Sequence, residues 1–413
     1  MHPARSGFSS RQSSSLLIMA KSALRVPFVD LKQPNSSISL LKLINCDGGF
    51  GYGIPFTSSS VLVDYVDEVD ADQNSWCNCY AFTEIFASGN TLLMDYIELG
   101  ETPDDRMQRR VLETLLSFHD KKRDAETALH VMEDKKLSET EWMTRIAVHY
   151  LSRLSVSHTY KLDSCYKKKF TECPCSCKKE VNYGDTSIGN PHTWYGQFGV
   201  LLGNYPSDKG KSEAHRQGEV AASEVQEADP QESSSDDLLI CDDSWSGSSQ
   251  AEIKLSPLNA HMPQLHSQTI VFSFYQKKCH SDLNLIPFMG VSRNHIQFHF
   301  YDSKEDIYLL SREMPLFYAD KTLNMSTVIA TWLVLNYQYL MSGVTAKMKS
   351  EKKFGFHSSV GPKYLKLFQN DIEMGPLKSE PYKFNDIILT GKRFLPQNDV
   401  TADIDAKYAR KAY

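Results

Sequence analysis

The stretch from residue 251 to residue 310 constrains the fold more than any other part of the chain. Ala251 to Leu255 reads as a short strand, Leu258 to Tyr275 as a largely buried helix, and Leu283 to Phe288 as a second strand. His295 to Tyr301 then alternates, with Ile296, Phe298 and Phe300 on one face and His295, Gln297, His299 and Tyr301 on the other, the period of a half-buried strand. A turn at Ser303 to Asp306 leads into Ile307 to Leu310 and makes a hairpin. Strand, helix, strand and hairpin in this order predict an α/β protein with a central mixed sheet and helices on both faces. On this reading His295 and His299 are solvated, and their ~13 Å separation along a strand is too long for one shared ion.

Upstream, Ser59 to Tyr65 reads as a strand, Trp76 to Glu98 as one or two helices, and Thr102 to His119 as a helix with Pro103 at an early position and Val111, Leu112, Leu115 and Leu116 as its stripe. The charged stretch Asp120 to Lys136 reads as a solvated helix or connection. Ser138 with Glu141 three residues on is a capping box, opening a helix whose apolar face is Trp142, Ile146, Tyr150 and Leu154. Asn324 to Met341 is a long apolar helix. These elements divide the chain into a leader (1–45), a mainly helical region (46–136), a core (137–345) and a basic, weakly patterned tail (346–413).

Charge separates one stretch from the rest. Ten acids and one base between Glu213 and Asp243 give it −9, which leaves +3 elsewhere in a chain of net charge −6. Segment 205–248 has too little apolar material to offset ordering entropy and is expected to be a disordered acidic insertion, suited to recruiting a protein partner. The mildly basic remainder is compatible with nucleic acid. No apolar run approaches the ~20 residues of a membrane-spanning helix, so no membrane is expected. Nine scattered cysteines suit a reducing, intracellular compartment, nucleus or cytoplasm. Residues 1–29 carry four bases and no acid, the composition of a transit peptide, but their amphipathic pattern is poor; a disordered leader with Met19 as a later start is the expectation.

Glu252-Ile253-Lys254 is the triplet that carries chemistry. Residues i and i+2 of a strand share a face, so the carboxylate and the ammonium project together. A glycine-bearing strand, Trp194 to Leu202, lies upstream, and the following helix carries Gln264 and Gln268 one turn apart. This arrangement resembles the PD-(D/E)XK nuclease superfamily, particularly its RecB and lambda-exonuclease-like branches, over residues 138–341. The resemblance implies a restriction-endonuclease-like core and Mg²⁺- or Mn²⁺-dependent phosphodiester hydrolysis. Glu252 and the main-chain carbonyl of Ile253 would ligate the metal, Lys254 would position the attacking water, and Gln268 and Gln264 would contact the site or the DNA backbone. Glu141 matches the family's occasional helical acid, although the capping box accounts for it. Gly199 falls where the family has its central aspartate. Asp242 or Asp243 would be substitutes if residues 238–241 pair as a strand, and otherwise the metal site is degenerate.

Three functions are expected: a DNA phosphodiesterase, an impaired relative that binds nucleic acid, and a protein-interaction module using the cysteine loop or the acidic insertion. Lys347, Lys349, Lys352 and Lys353 are candidate phosphate contacts, with a solvated charge run as the alternative. Tyr337 and Tyr339 are core or rim residues, or stacking platforms for bases. Cys173, Cys175 and Cys177, with Cys165 before them and Cys77 and Cys79 far upstream, offer thiolates for Zn²⁺. Their one-residue spacing departs from the usual knuckle, and partly buried free thiols are the alternative.

Overall fold

A computed structural model describes residues 21–33, 36–69, 75–77, 79–130, 137–167, 170–203 and 248–377. Nine strands form one path through the main sheet: β1 (Ser37–Cys46), β2 (Val61–Tyr65), β3 (Tyr160–Asp163), β4 (Tyr183–Gly184), β5 (Val200–Leu202), β6 (Ser249–Ile253), β7 (Leu285–Val291), β8 (His295–Asp302) and β9 (Ile307–Ser311). Their order is β2-β1-β9-β8-β7-β6-β5-β3-β4, and the short strands Cys79–Ala81 and Met314–Pro315 join β1 and β8. β6 and β7 are parallel, as are β3 and β4, and the other neighbours are antiparallel. The expected α/β architecture with a mixed sheet is therefore present.

Four helices hold the candidate site residues and the core around them: α1 (Arg106–Asp120), α2 (Glu139–Ile146), α3 (Met262–Cys279) and α4 (Met325–Leu335). α3 is the crossover between β6 and β7, which a parallel pair requires because its strands cannot be joined by a tight turn. Every residue of α3 from Gln264 to Gln276 is buried, since the sheet lies on one side and the helical segment Phe356–Asn370 and the turn Phe56–Ser58 pack on the other.

β8 corrects one expectation. Phe298 and Phe300 meet the rings of Phe82 and Phe86 on one face, while His299 and Tyr301 meet His266 and Phe274 of α3 on the other. His299 is buried, not solvated, because β8 is a central strand covered on both faces. The imidazoles of His266 and His299 share the Tyr308 hydroxyl at 2.9 and 3.0 Å. That hydroxyl donates one proton, so one ring accepts from it and the other donates to it. Burial lowers the His266 pKa from 6.5 to about 3 and takes His299 well below 6.5, helped by His266. The unfolded chain binds these protons near pH 6.5 and the folded chain does not. Stability is therefore expected to fall as pH drops below 6.5 towards about 3, by up to about 1.4 kcal/mol per pH unit for each ring. Urea melts across that range check this, with a shallower fall expected in His266→Gln.

The ends of the chain also differ from expectation. Residues 21–30 are helical, with Leu24 and Phe28 in the core, and β1 and β2 belong to the main sheet. The N-terminal part thus shares the core sheet instead of forming a leader to residue 45 and a mainly helical unit. Ile38, Leu40 and Leu41 of β1 are buried between β2 and β9. Of the region expected to be helical from Trp76, residues 75–77 and 79–81 are strands, and helical turns begin at Phe82. The tail folds back through helices Ala346–Ser350 and Phe356–Asn370, burying Phe356, Val360 and Phe368. The acidic stretch with Asp242 and Asp243, the first 20 residues and residues 378–413 lie outside the described residues. Among the described residues no helix is long and apolar enough to cross a membrane.

Candidate functional site

Glu252 and Lys254 come together at the end of β6. The strand finishes at Ile253, whose side chain is buried, and Lys254 prolongs its direction by donating its N–H to the Val291 carbonyl at 2.8 Å. The Lys254 ammonium sits 2.9 Å from Glu252 Oε1 and 3.7 Å from a carboxylate oxygen of Glu139, in the first turn of α2. Burial works to lower the Lys254 pKa, but the two carboxylates outweigh it and the net shift is upward.

The rest of the predicted cluster closes around Glu252. Gln264 Nε2 donates to Oε1 at 3.1 Å, Gln268 Nε2 to Oε2 at 3.0 Å, and the Gly199 N–H to Oε2 at 3.2 Å. Gln264 and Gln268 are buried, so their amides hold this carboxylate and are shielded from solvent. An ionised carboxylate has about four lone-pair directions, and Glu252 has four donors.

Gly199 stands beside Glu252, yet it leaves no open space. A Cβ there would lie 3.3 Å from Met143 Sδ, 3.4 Å from the Ala251 carbonyl and 3.5 Å from the Ile253 nitrogen. It also separates two sheets: Trp194–Gln197 belongs to a second sheet of four strands, and Val200–Leu202 to the main one. The expected single glycine-bearing strand is two.

Ser138 caps α2 as predicted, accepting from the Glu141 N–H at 3.1 Å. The Glu141 carboxylate meets Arg145 at 2.9 Å, and the helical acid near Lys254 is Glu139. Sequence spacing could not choose between them, because the choice depends on how α2 docks on β6. The lysine cluster lies elsewhere. Lys353 pairs with Glu305 in the β8–β9 turn, and Lys347 sits 5.2 Å from the Tyr80 ring centroid. Lys349 and Lys352 are exposed on the same segment. That turn is at the far end of β8 from Gln297, which is in register with Gly290 and so with Glu252. At the Glu252 end, the β7–β8 turn brings Arg293 and Asn294 to a cavity of about 350 Å³ shared with His130, Trp142, Phe317 and Lys321. Tyr337 is a core residue and Tyr339 is partly buried.

A second centre forms farther along the same helix. Beyond α2 the backbone continues as a π-helix, Ala147–Leu151, and a last turn, Ser152–Leu154. His149, on the π segment, is buried. Its Nε2 lies 3.4 Å from Cys173 Sγ, 3.0 Å from Cys175 Sγ and 3.4 Å from Cys177 Sγ, and the Cys173 and Cys175 sulfurs are 3.3 Å apart. All four ligand atoms lie within 4.8 Å of one another, so the group could hold a metal ion.

The loop is built to gather the thiols. Cys173 N–H donates to the Lys179 carbonyl at 2.8 Å and Val181 N–H to the Thr171 carbonyl at 3.1 Å, closing its base. Ser176 and Lys178 take left-handed backbone angles, φ 74° and 57°, which turn the chain on either side of Cys177. Arg145 ties the loop to the helix, donating to the Pro174 carbonyl at 3.1 Å and the Ala128 carbonyl at 2.6 Å. Burial, then the charges of Lys179, Arg153 and Arg145, lower the His149 pKa to about 4. The ring is thus neutral at physiological pH, the form that binds metal.

Cys165 and Cys79 are not in this group: Cys165 Sγ bonds Asp163 and Cys79 Sγ lies 3.3 Å from Ser39 Oγ. His149 was missed from sequence. Its signal was a polar residue seven positions after Trp142, two helical turns on and therefore on the apolar stripe. No family model, curated protein or solved structure matches the chain.

Proposed function

We propose that the chain binds nucleic acid on a PD-(D/E)XK-type scaffold whose phosphodiesterase centre no longer cuts. The convergence of Glu252, Lys254, Gln264, Gln268 and Gly199 supports the scaffold. The observation that carries the loss of cutting is the saturation of Glu252. Mg²⁺ needs carboxylate oxygens with free lone pairs, and here two amides, a main-chain N–H and an ammonium occupy them. The cavity with Arg293 and Lys321 at the same end of the sheet supports phosphate contact. The expected result is DNA binding that weakens steeply with salt, as counterion release requires, with Arg293→Gln weaker still and no cleavage in Mg²⁺ or Mn²⁺. Cleavage abolished by Lys254→Ala would restore the enzyme reading. Failure to bind DNA or RNA would leave the interaction module, built on the cysteine loop or acidic insertion.

We also infer that His149, Cys173, Cys175 and Cys177 hold Zn²⁺. Three thiolates and an imidazole suit a borderline-soft ion, whereas Mg²⁺ prefers oxygen. Zinc–sulfur and zinc–nitrogen bonds of ~2.3 and ~2.0 Å make tetrahedral edges of roughly 3.5–3.8 Å, so the four atoms, now 3.0–3.4 Å apart in the contacts named above, would spread slightly around the ion. Four protein ligands leave no open position, so the role is structural. Elemental analysis is expected to give one zinc per chain, and none after Cys175→Ser.

A further inference from the structure

A groove of about 360 Å³ runs between α1 and the turn after Leu154, and it shares no lining residue with the Glu252 or the His149 centre. Phe118, Thr114 and Val156 are buried at its floor. Arg110, Lys121, Arg153 and His158 line it, with Ser117 and a single acid, Glu113. The Arg153 guanidinium is stacked over the Phe118 ring, 5.9 Å from its centroid, and His158 donates from Nδ1 to the Ser152 carbonyl at 3.0 Å. Among the described residues, Arg110, Lys121 and Arg153 make no ion pair.

Cations gathered round one concavity repel one another, and an anion placed among them reverses the sign of that interaction. Guanidinium forks match the oxygens of phosphate in particular, and the Ser117 hydroxyl adds a donor. A groove of this size takes a ligand larger than a simple ion. We propose that this groove binds the phosphate group of an organic phosphate or of a nucleic-acid backbone. The assignment rests on its own residues: Arg153 is at the far end of the helical run from Glu139, so the groove stands whether or not the scaffold reading does.

The test is calorimetry on the full chain with three probes: inorganic phosphate, adenosine monophosphate and a ten-nucleotide single strand. The double variant Arg110→Gln, Lys121→Gln is compared with Lys304→Gln, Lys366→Gln as a charge control. These four side chains are exposed, so folding is expected to survive and is checked by circular dichroism. At least one probe is expected to bind, about tenfold weaker in the groove variant, or ~1.4 kcal/mol, and unchanged in the control. Binding of adenosine monophosphate identifies a free phosphate ester as ligand, and binding of the single strand alone identifies the backbone. No binding of any probe below ~1 mM, or equal weakening in both variants, would overturn the proposal.

Discussion

Replacing Cys175 with serine, or stripping the metal with a chelator, is expected to lower the stability of the folded chain by at least about 3 kcal/mol. A bound ion's free energy would count as folding free energy, because the unfolded chain does not present three thiolates and an imidazole together. Zinc-finger peptides gain on the order of 10–16 kcal/mol this way. The loss here should be smaller, since the helix bearing His149 is held independently by Trp142, Ile146, Tyr150 and Leu154 in the core, and Arg145 still grips the loop through Pro174. Without the ion three thiols and an imidazole are crowded together with weak S–H donors to satisfy them. Denaturant melts of the wild-type chain, the chelated chain and Cys175→Ser check this. Equal midpoints would mean that the thiols are free.

The second large effect is an asymmetry between Glu252 and Lys254. Glu252→Ala is expected to cost about 3 kcal/mol, because it leaves a half-buried ammonium and two buried amides without their acceptor. Glu139 alone, at 3.7 Å and partly exposed, is a poor substitute. Lys254→Met should cost much less. The carboxylate would keep Gln264, Gln268 and the Gly199 N–H, and the methionine can fill the lysine's space. Urea melts of both variants decide it: equal losses would show that Glu252 depends on the ammonium more than on its neutral donors.

Much of the core was legible because the apolar pattern was unambiguous. β6, α3, β7, β8 and β9 fall close to where periodicity placed them, and the Glu-x-Lys pair meets the glutamines of the following helix as two elements in one crossover must. Less legible was anything set by docking. Both faces of β8 are covered, so the His299 face that alternation marked as polar is interior, and His299, with His266 of α3, meets a tyrosine instead of water. β1 joins the sheet next to β9, a partner more than 250 residues away, which no local window reveals. The number of thiols suggested a metal although their spacing departed from the usual knuckle, and the fourth candidate ligand sits on a helix that precedes the loop. Glu139 and Glu141 differ only in which way α2 is turned.

The π segment fixes a relation between distant parts of the molecule. Glu139 and His149 belong to one unbroken helical rod, so the angle between them about its axis is set by the number of residues between them and by the wider turn at 147–151. Excising one residue there would let the wide turn close to an ordinary helical turn, keeping the phase of the rod beyond but rotating His149, inside it, by roughly half of the ~100° per residue. The imidazole would swing away from the sulfurs while the carboxylate stayed by its ammonium. The length of this segment is therefore a shared constraint, and a lineage that altered it by one residue would have to give up the imidazole's place among the sulfurs or rebuild it.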